Sequence, residues 1–362
     1  MHFDRRSFIR STSLGLGSLA LPKDIFSITG QTEKKLGIAL VGLGSYSAGR
    51  LAPALQETEY IKLTGIVTGT PEKAKDWAEK YHIKTENIYT YENYDSIKDN
   101  PEIDVVYIVL PNGMHAEYTI RGAQAGKHVI CEKPMANSVR ECEEMIAACK
   151  KAGVKLQIGY RLLYEPNNME MERICREKEY GDIRAVESSN AFYARDDWDN
   201  WRFHHELAGG GPLMDMGVYS IHGVRHAMGS EPVAITAQSF NTRKEKFTDI
   251  EETLYWQMYF DSGVVANCMT SYSARAGHLQ VHTDQASYRL EPAFGYGPLK
   301  LMVKGEEVKI PHTNHQAVQM DAFARNILDN TEVVASGTEG LNDLKVIEAI
   351  YKAAKSGEKV MV

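Results

Sequence analysis

Leu36-Gly37-Ile38-Ala39-Leu40-Val41-Gly42-Leu43-Gly44-Ser45-Tyr46-Ser47 is an almost unbroken apolar run that stops at a pair of glycines and leads into a helical stretch at 50–56. A strand that is apolar at successive positions is covered on both faces, as in a parallel sheet. The pattern repeats downstream. Strand-like runs at 62–68, 104–110, 128–131 and 155–159 alternate with helical periodicity at 71–81, 115–125 and 138–152. Strands alternating with helices predict a doubly wound parallel α/β sheet.

Beyond Arg161 the character changes. A polar helical segment at 166–179 precedes β-rich runs at 183–191, 233–241, 253–260, 263–273, 278–283, 286–291 and 299–303, joined by short turns. These predict a large open antiparallel sheet. Helices at 316–328 and 341–356 close the chain. The expected organisation is a leader and linker at 1–32, a dinucleotide-type domain at 33–160 and a second α/β domain at 161–362.

Composition fits this plan, because 362 residues with 43% hydrophobic content can fill two cores. A net charge of -7, with cations scattered among acids, argues against nucleic acid as a partner. Five cysteines without CxxC spacing suggest neither a disulfide framework nor a zinc site. Asp4, Arg5, Arg6, Ser7, Phe8 and Ile9 precede a weakly apolar run at 13–21, which reads as a twin-arginine export signal. That run is shorter than the roughly 20 residues needed to span a bilayer. A periplasmic or otherwise exported location is expected, and a cytoplasmic one if these residues are only a basic start.

In the opening turn, Gly42 permits the bend, Gly44 lets a pyrophosphate approach the backbone, and the small Ser47 favours helix-on-strand packing. With Leu43, Ser45 and Tyr46 this makes a dinucleotide cradle; a plain strand-to-helix turn is the ordinary alternative. The second strand ends in Thr68, Gly69 and Thr70, with Lys73 nearby and no acid to grip a ribose diol. A carboxylate there would repel a 2′-phosphate, so NADP is favoured over NAD. Pro111, Asn112 and His115 follow another buried strand. Glu132, Lys133 and Pro134 follow the next, with Lys133 held extended or in a cis bond before proline.

The third constellation runs from Gly209-Gly210-Gly211-Pro212 to His222. If it opens a helix, Asp215, Tyr219 and His222 share one face. His204, His205, His222 and His226 offer no recognisable ligand pattern, and no metal is expected.

Together, Gly42-Leu43-Gly44, Pro111-Asn112, Glu132-Lys133-Pro134 and the 209–219 run resemble the Gfo/Idh/MocA oxidoreductases across 35–362. Asp215, Gly217, Tyr219 and Arg225, with Trp201 and Arg202 ahead of them, are most similar to the glucose-fructose oxidoreductase branch; Tyr219 stands where many dehydrogenases of the family carry His. His222 falls where that branch would carry Asn, which leaves sugar preference open. The resemblance implies hydride transfer between a sugar or polyol carbon and bound nicotinamide, and homo-oligomers built through the C-terminal sheet. In this reading Tyr219 is the base, Lys133 stabilises its phenolate, and Asp215 orients sugar hydroxyls. Arg161 and His222 join the substrate set. Glu132, Lys133, Arg161, Trp201 and Arg202 line the cofactor.

Two rivals follow from the same residues. One is a glycosidase that uses bound NAD for transient oxidation. The other is a noncatalytic nucleotide-binding sensor, since a fold does not dictate chemistry.

Overall fold

The computed structural model describes residues 35–362, which form one compact unit. The export reading of the N-terminus lies outside the described residues. Among the described residues no helix is long and apolar enough to cross a membrane.

The first half builds β1 (Leu36–Val41), a π-helical turn Ser47–Leu51 continued as α1 (Ala52–Ala54), β2 (Ile61–Val67), α2 (Pro71–Tyr81), β3 (Ile88–Tyr89) and β4 (Val105–Ile108). Then come α3 (His115–Gln124), β5 (His128–Cys131), α4 (Val139–Ala152) and β6 (Leu156–Ile158). These strands form one parallel sheet in the order β3-β2-β1-β4-β5-β6. The order reverses between β1 and β4, and in doubly wound sheets the crevice for a ligand opens there, beyond the carboxyl ends of the strands. Gly42, Thr68, Pro111, Glu132 and Arg161 all lie just past such ends. The short β3 was not expected from the sequence; two residues are too few to show a period.

The second half contains α5 (Pro166–Glu177), β7 (Ile183–Tyr193), α6 (His205–Ala208), α7 (Val218–Met228), β8 (Ala234–Phe240), β9 (Thr253–Tyr259), β10 (Val265–Ser271) and β11 (Ser273–Thr283). It continues through β12 (Ser287–Leu290), β13 (Leu301–Val303), β14 (Glu306–Val308), α8 (His315–Leu328), α9 (Gly337–Ser356) and β15 (Val360–Met361). Nine strands make one sheet, β14-β13-β12-β11-β7-β10-β9-β8-β15. The large antiparallel sheet expected from the sequence is present, with one parallel pair at its centre, β7 with β10. A parallel pair needs a long crossover, and the chain from β7 to β10 supplies one through α6, α7, β8 and β9.

Alternation along β9 is clear. Leu254, Trp256 and Met258 are buried, while Tyr255 faces out and stacks with the exposed Phe240 at 6.1 Å. Helix α7 packs on β7, β10 and β11, and α9 on β8. Helix α8 belongs by sequence to the second half but returns to the first, where Ala317, Met320, Phe323 and Ala324 pack with Ile38, Leu40 and Leu51.

Candidate active site

Gly42 adopts φ +96°, and a Cβ there would lie 2.5 Å from the Val109 carbonyl, so the turn requires glycine. The Ser47 hydroxyl donates to the Gly42 carbonyl at 2.7 Å and closes the turn. Among the described residues a Cβ on Gly44 would meet nothing within 4 Å, and no side chain caps the helix that follows. Backbone amides therefore face open space at a helix start, which is the donor set a pyrophosphate takes. At the second strand end, Thr68 is buried and its hydroxyl accepts from the Thr70 amide at 3.2 Å, Gly69 lies against Tyr91, and Lys73 is exposed on α2.

Lys133 follows β5 through Glu132, and the bond to Pro134 is cis. Its Nζ donates to the Asp215 carbonyl oxygen at 2.8 Å, lies 3.7 Å from Asp215 Oδ1 and sits 4.5 Å from the centre of the Tyr219 ring. Asp215 stands in a π-helical turn, Leu213–Gly217, that opens α7 one turn before Tyr219. Such wide turns rearrange the backbone ladder and recur at functional sites. Asp215 Oδ2 accepts from Arg202 Nε at 3.2 Å and from the Tyr272 hydroxyl at 3.1 Å. Burial alone would raise this carboxyl, but the charges of Arg202 and Lys133 and the two hydrogen bonds hold it below the usual range.

The structure thus brings Lys133, Asp215 and Tyr219 together, as the sequence implied. A second cation, Arg161, also stands over the Tyr219 ring. Burial raises the Tyr219 phenol, and the cation that opposes this is Arg161, whose guanidinium carbon is 5.3 Å from the ring centre. Lys133 lies over the ring, and no direct hydrogen bond joins its ammonium to the phenol oxygen. Arg161 is itself buried, donates to the Phe294 and Gly295 carbonyls at 2.7 and 2.9 Å, and lies 4.3 Å from the centre of the Tyr296 ring. Tyr46 approaches Tyr296 at 5.8 Å, so the glycine turn and this arginine meet through one aromatic ring.

The other expected residues also make contacts within the protein. His115 has both ring nitrogens on backbone carbonyls, Pro134 at 2.8 Å and Leu110 at 2.9 Å, so it straps the ends of β4 and β5 together. Asn112 is buried and donates to the Ala208 carbonyl at 2.8 Å, tying this loop to α6. Glu132 accepts from Tyr107 at 2.7 Å and packs on Gly159. Arg202, expected at the cofactor, is committed to Asp215 and lies over Trp201 at 4.4 Å.

His222 does not join the lysine and the aspartate. It stacks on Tyr160 at 4.0 Å, contacts Asp343 Oδ2 through Nδ1 at 3.1 Å, and neighbours His226. His204 instead faces Asp199 at 3.3 Å.

Four further residues, Tyr272, Glu251, Phe192 and Phe203, were not among the candidate site residues. Tyr272 falls in the break between β10 and β11, and no local pattern marks it. Glu251, on the loop before β9, accepts from the Gly211 and Leu213 amides at 2.8 and 3.1 Å and from the Tyr351 hydroxyl at 3.0 Å, gripping the turn that carries Asp215. Phe192 packs 5.0 Å from Tyr272, which Phe203 approaches at 5.8 Å, so an aromatic wall flanks the carboxylate.

Residues 36–160 match the model of an oxidoreductase family with an NAD-binding Rossmann fold, and 169–289 match the GFO/IDH/MocA C-terminal domain. A D-xylose 1-dehydrogenase [NADP(+)] of Haloarcula marismortui is 29% identical over 339 residues, covering 91% of this chain and 94% of that protein. The crystal structure of aldose-aldose oxidoreductase from Caulobacter crescentus, complexed with glycerol, is 41% identical with a TM-score of 0.88, covering 91% of this chain and 100% of that one. Levoglucosan dehydrogenase, in complex with NADH and levoglucosan, shares the fold at 21% identity and a TM-score of 0.80.

Proposed function

The chain belongs to the Gfo/Idh/MocA family of NAD(P)-dependent oxidoreductases, and from that premise we propose that it moves hydride between a sugar carbon and NADP held in the glycine cradle. The observation that carries this reading is the convergence of Lys133, Asp215 and Tyr219 beyond β5, on the same side of the sheet as the Gly42–Gly44 turn.

The residues present fit the nucleotide: open space over Gly44, uncapped amides after it, and hydroxyls without a carboxylate at Thr68 and Thr70. When bound, NADP supplies the hydride acceptor at the nicotinamide. The chain's own groups handle the proton and the orientation. Asp215, kept ionised by Arg202 and Lys133, accepts hydrogen bonds from sugar hydroxyls, while Phe192, Phe203 and Tyr272 offer an apolar wall to the sugar's C–H face. Lys133 places its ammonium where negative charge develops on the reacting oxygen. A raised phenol keeps its proton at neutral pH, so Tyr219 is suited to give that proton to a carbonyl. In the oxidative direction the phenol first loses its own proton to solvent, and the phenolate, whose charge Arg161 and Lys133 stabilise, takes the alcohol's proton as the hydride departs to NADP⁺.

A xylose dehydrogenase and an aldose-aldose oxidoreductase among the relatives support an aldose as donor. Export through the Arg5-Arg6 signal would remove the enzyme from free nucleotide, so we further propose that NADP stays bound and cycles between a sugar donor and a carbonyl acceptor, in an oligomer assembled through the outer face of the nine-stranded sheet.

The test is the absorbance and fluorescence spectrum of dialysed protein, followed by aldoses added one at a time. A retained nucleotide that an aldose reduces supports the whole reading. Protein that carries no nucleotide and turns over only with excess free NADP overturns the cycling proposal. No reduction of NADP or NAD by any aldose overturns the sugar assignment.

A further inference from the structure

His222 and His226 stand one helical turn apart on α7, and Glu339 lies in the first turn of α9. One ligand atom from each of the three lies within 4.8 Å of the others. His226 Nε2 is 3.4 Å from Glu339 Oε2. The His222 ring is stacked on Tyr160 and 5% exposed, so it cannot turn freely, and among the described residues its buried Nε2 has no partner.

The other nitrogen of each ring faces a carboxylate: His222 Nδ1 meets Asp343 Oδ2 at 3.1 Å, and His226 Nδ1 meets Glu172 Oε2 at 3.6 Å. A carboxylate behind Nδ1 fixes the tautomer that leaves Nε2 as a lone-pair donor, the usual support of a histidine bound to a metal. Charge points the same way. Glu172, Glu339, Asp343 and Glu231 outnumber the guanidiniums of Arg225 and Arg176 that bind them by two. Arg225 also reaches Glu339, but Glu231 and Asp343 already satisfy it, so Glu339 can turn to an ion without stranding the arginine.

We propose that His222, His226 and Glu339 bind one zinc-type divalent cation that braces α7, the helix carrying Tyr219, against α9. Two imidazoles and one carboxylate with an open fourth position suit Zn²⁺ or Co²⁺ better than Mg²⁺ or Ca²⁺. Both histidines border a cavity of about 30 Å³ that Glu172, Tyr219, Met171 and Leu279 also line. That space holds a metal-bound water but no sugar, so the site is a structural one, separate from the chemistry at Lys133.

The experiment titrates ZnCl2 into the chelator-dialysed full chain by calorimetry, with CoCl2 as a visible-absorption probe. The expected result is one Zn²⁺ per chain, a four-coordinate Co²⁺ spectrum, and a Tm rise of roughly 3–6 °C at a hundredfold excess over Kd. His222→Gln and Glu339→Gln should each weaken binding at least about tenfold. Absence of binding overturns the proposal, as does binding undiminished in both variants. If the variants fail to fold, X-ray absorption of the zinc-loaded wild-type chain decides: a shell with two imidazoles supports the site, and one with none or one overturns it.

Discussion

Lys133 Nζ donates to the backbone carbonyl of Asp215 at 2.8 Å while standing 3.7 Å from the carboxylate of the same residue. One ammonium thus reads both the backbone and the charge of the turn that opens α7, and its place over Tyr219 follows. Replacing it with Met keeps much of the volume and removes the charge. Lys133→Met should lower kcat by roughly 10²–10³-fold, the scale of losing one group that stabilises developing charge. Nucleotide retention and the far-UV CD spectrum should be unchanged. A variant with kcat within threefold of wild type would remove Lys133 from the chemistry.

Tyr272 tests the carboxylate. Its hydroxyl donates to Asp215 Oδ2 at 3.1 Å, one of the contacts that keep that carboxyl below its ordinary range. In Tyr272→Phe the ionised form loses a donor, so the carboxyl's pKa moves up. If ionised Asp215 is the active form, the acid limb of kcat/KM shifts to higher pH by about 0.5–1.5 units, corresponding to about 1–2 kcal/mol for a hydrogen bond to a charged acceptor. The plateau at neutral pH should fall far less than in Lys133→Met. An unmoved acid limb would show that another group sets it.

How much of this was legible beforehand depended on sequence distance. The glycine turn and Lys133 could be found because each lies at the end of a short βα unit, where strand, turn and helix signals are adjacent. Asp215 and Tyr219 could be paired because helical spacing places them one turn apart. Glu251, and the contact of Tyr272 with Asp215, could not be found, since they come from the register of β9, β10 and β11 against α7 and not from neighbours in the chain. The partner of Arg202 was hidden for a related reason: a loop side chain has no period, and only the fold shows that it turns to Asp215. The parallel pairing of β7 with β10 was hidden as well, because strand-like runs carry no mark of direction.

Glu251 shows how far such unmarked contacts reach. Two backbone amides and the Tyr351 hydroxyl converge on its carboxylate, and burial raises its pKa. Glu251→Ala leaves those buried donors unsatisfied and should cost about 2–4 kcal/mol of stability. A Cβ on Gly211 would come within 2.3 Å of the Glu251 carbonyl oxygen, so Gly211→Ala should displace the same turn. In both variants kcat should fall with the loss of Asp215 alignment while nucleotide affinity stays within about twofold. Denaturant unfolding and nucleotide titration would separate the two effects; a parallel collapse of both would mean the turn also shapes the nucleotide site.

Cofactor choice turns on the end of β2. Thr70 precedes α2 in an extended conformation, with Pro71 at the first helical position and no side-chain cap in place. Aspartate is a good residue at such a position, so Thr70→Asp should fold as wild type and gain a few tenths of a kcal/mol as a cap. It also sets a carboxylate beside the place where a ribose 2′-phosphate would lie in this fold, with the exposed Lys73 nearby as the cation available to that phosphate. Repulsion of about 1.4–2.8 kcal/mol corresponds to a 10–100-fold rise in the Kd for NADP, while NAD, whose 2′-hydroxyl can donate to the new carboxylate, should bind no worse than before. Fluorescence titration with both reduced nucleotides reads the ratio directly. A preference that moves toward NAD places the 2′-phosphate at this turn; an unchanged ratio would locate nucleotide discrimination elsewhere, and with it the argument for NADP from the missing acid.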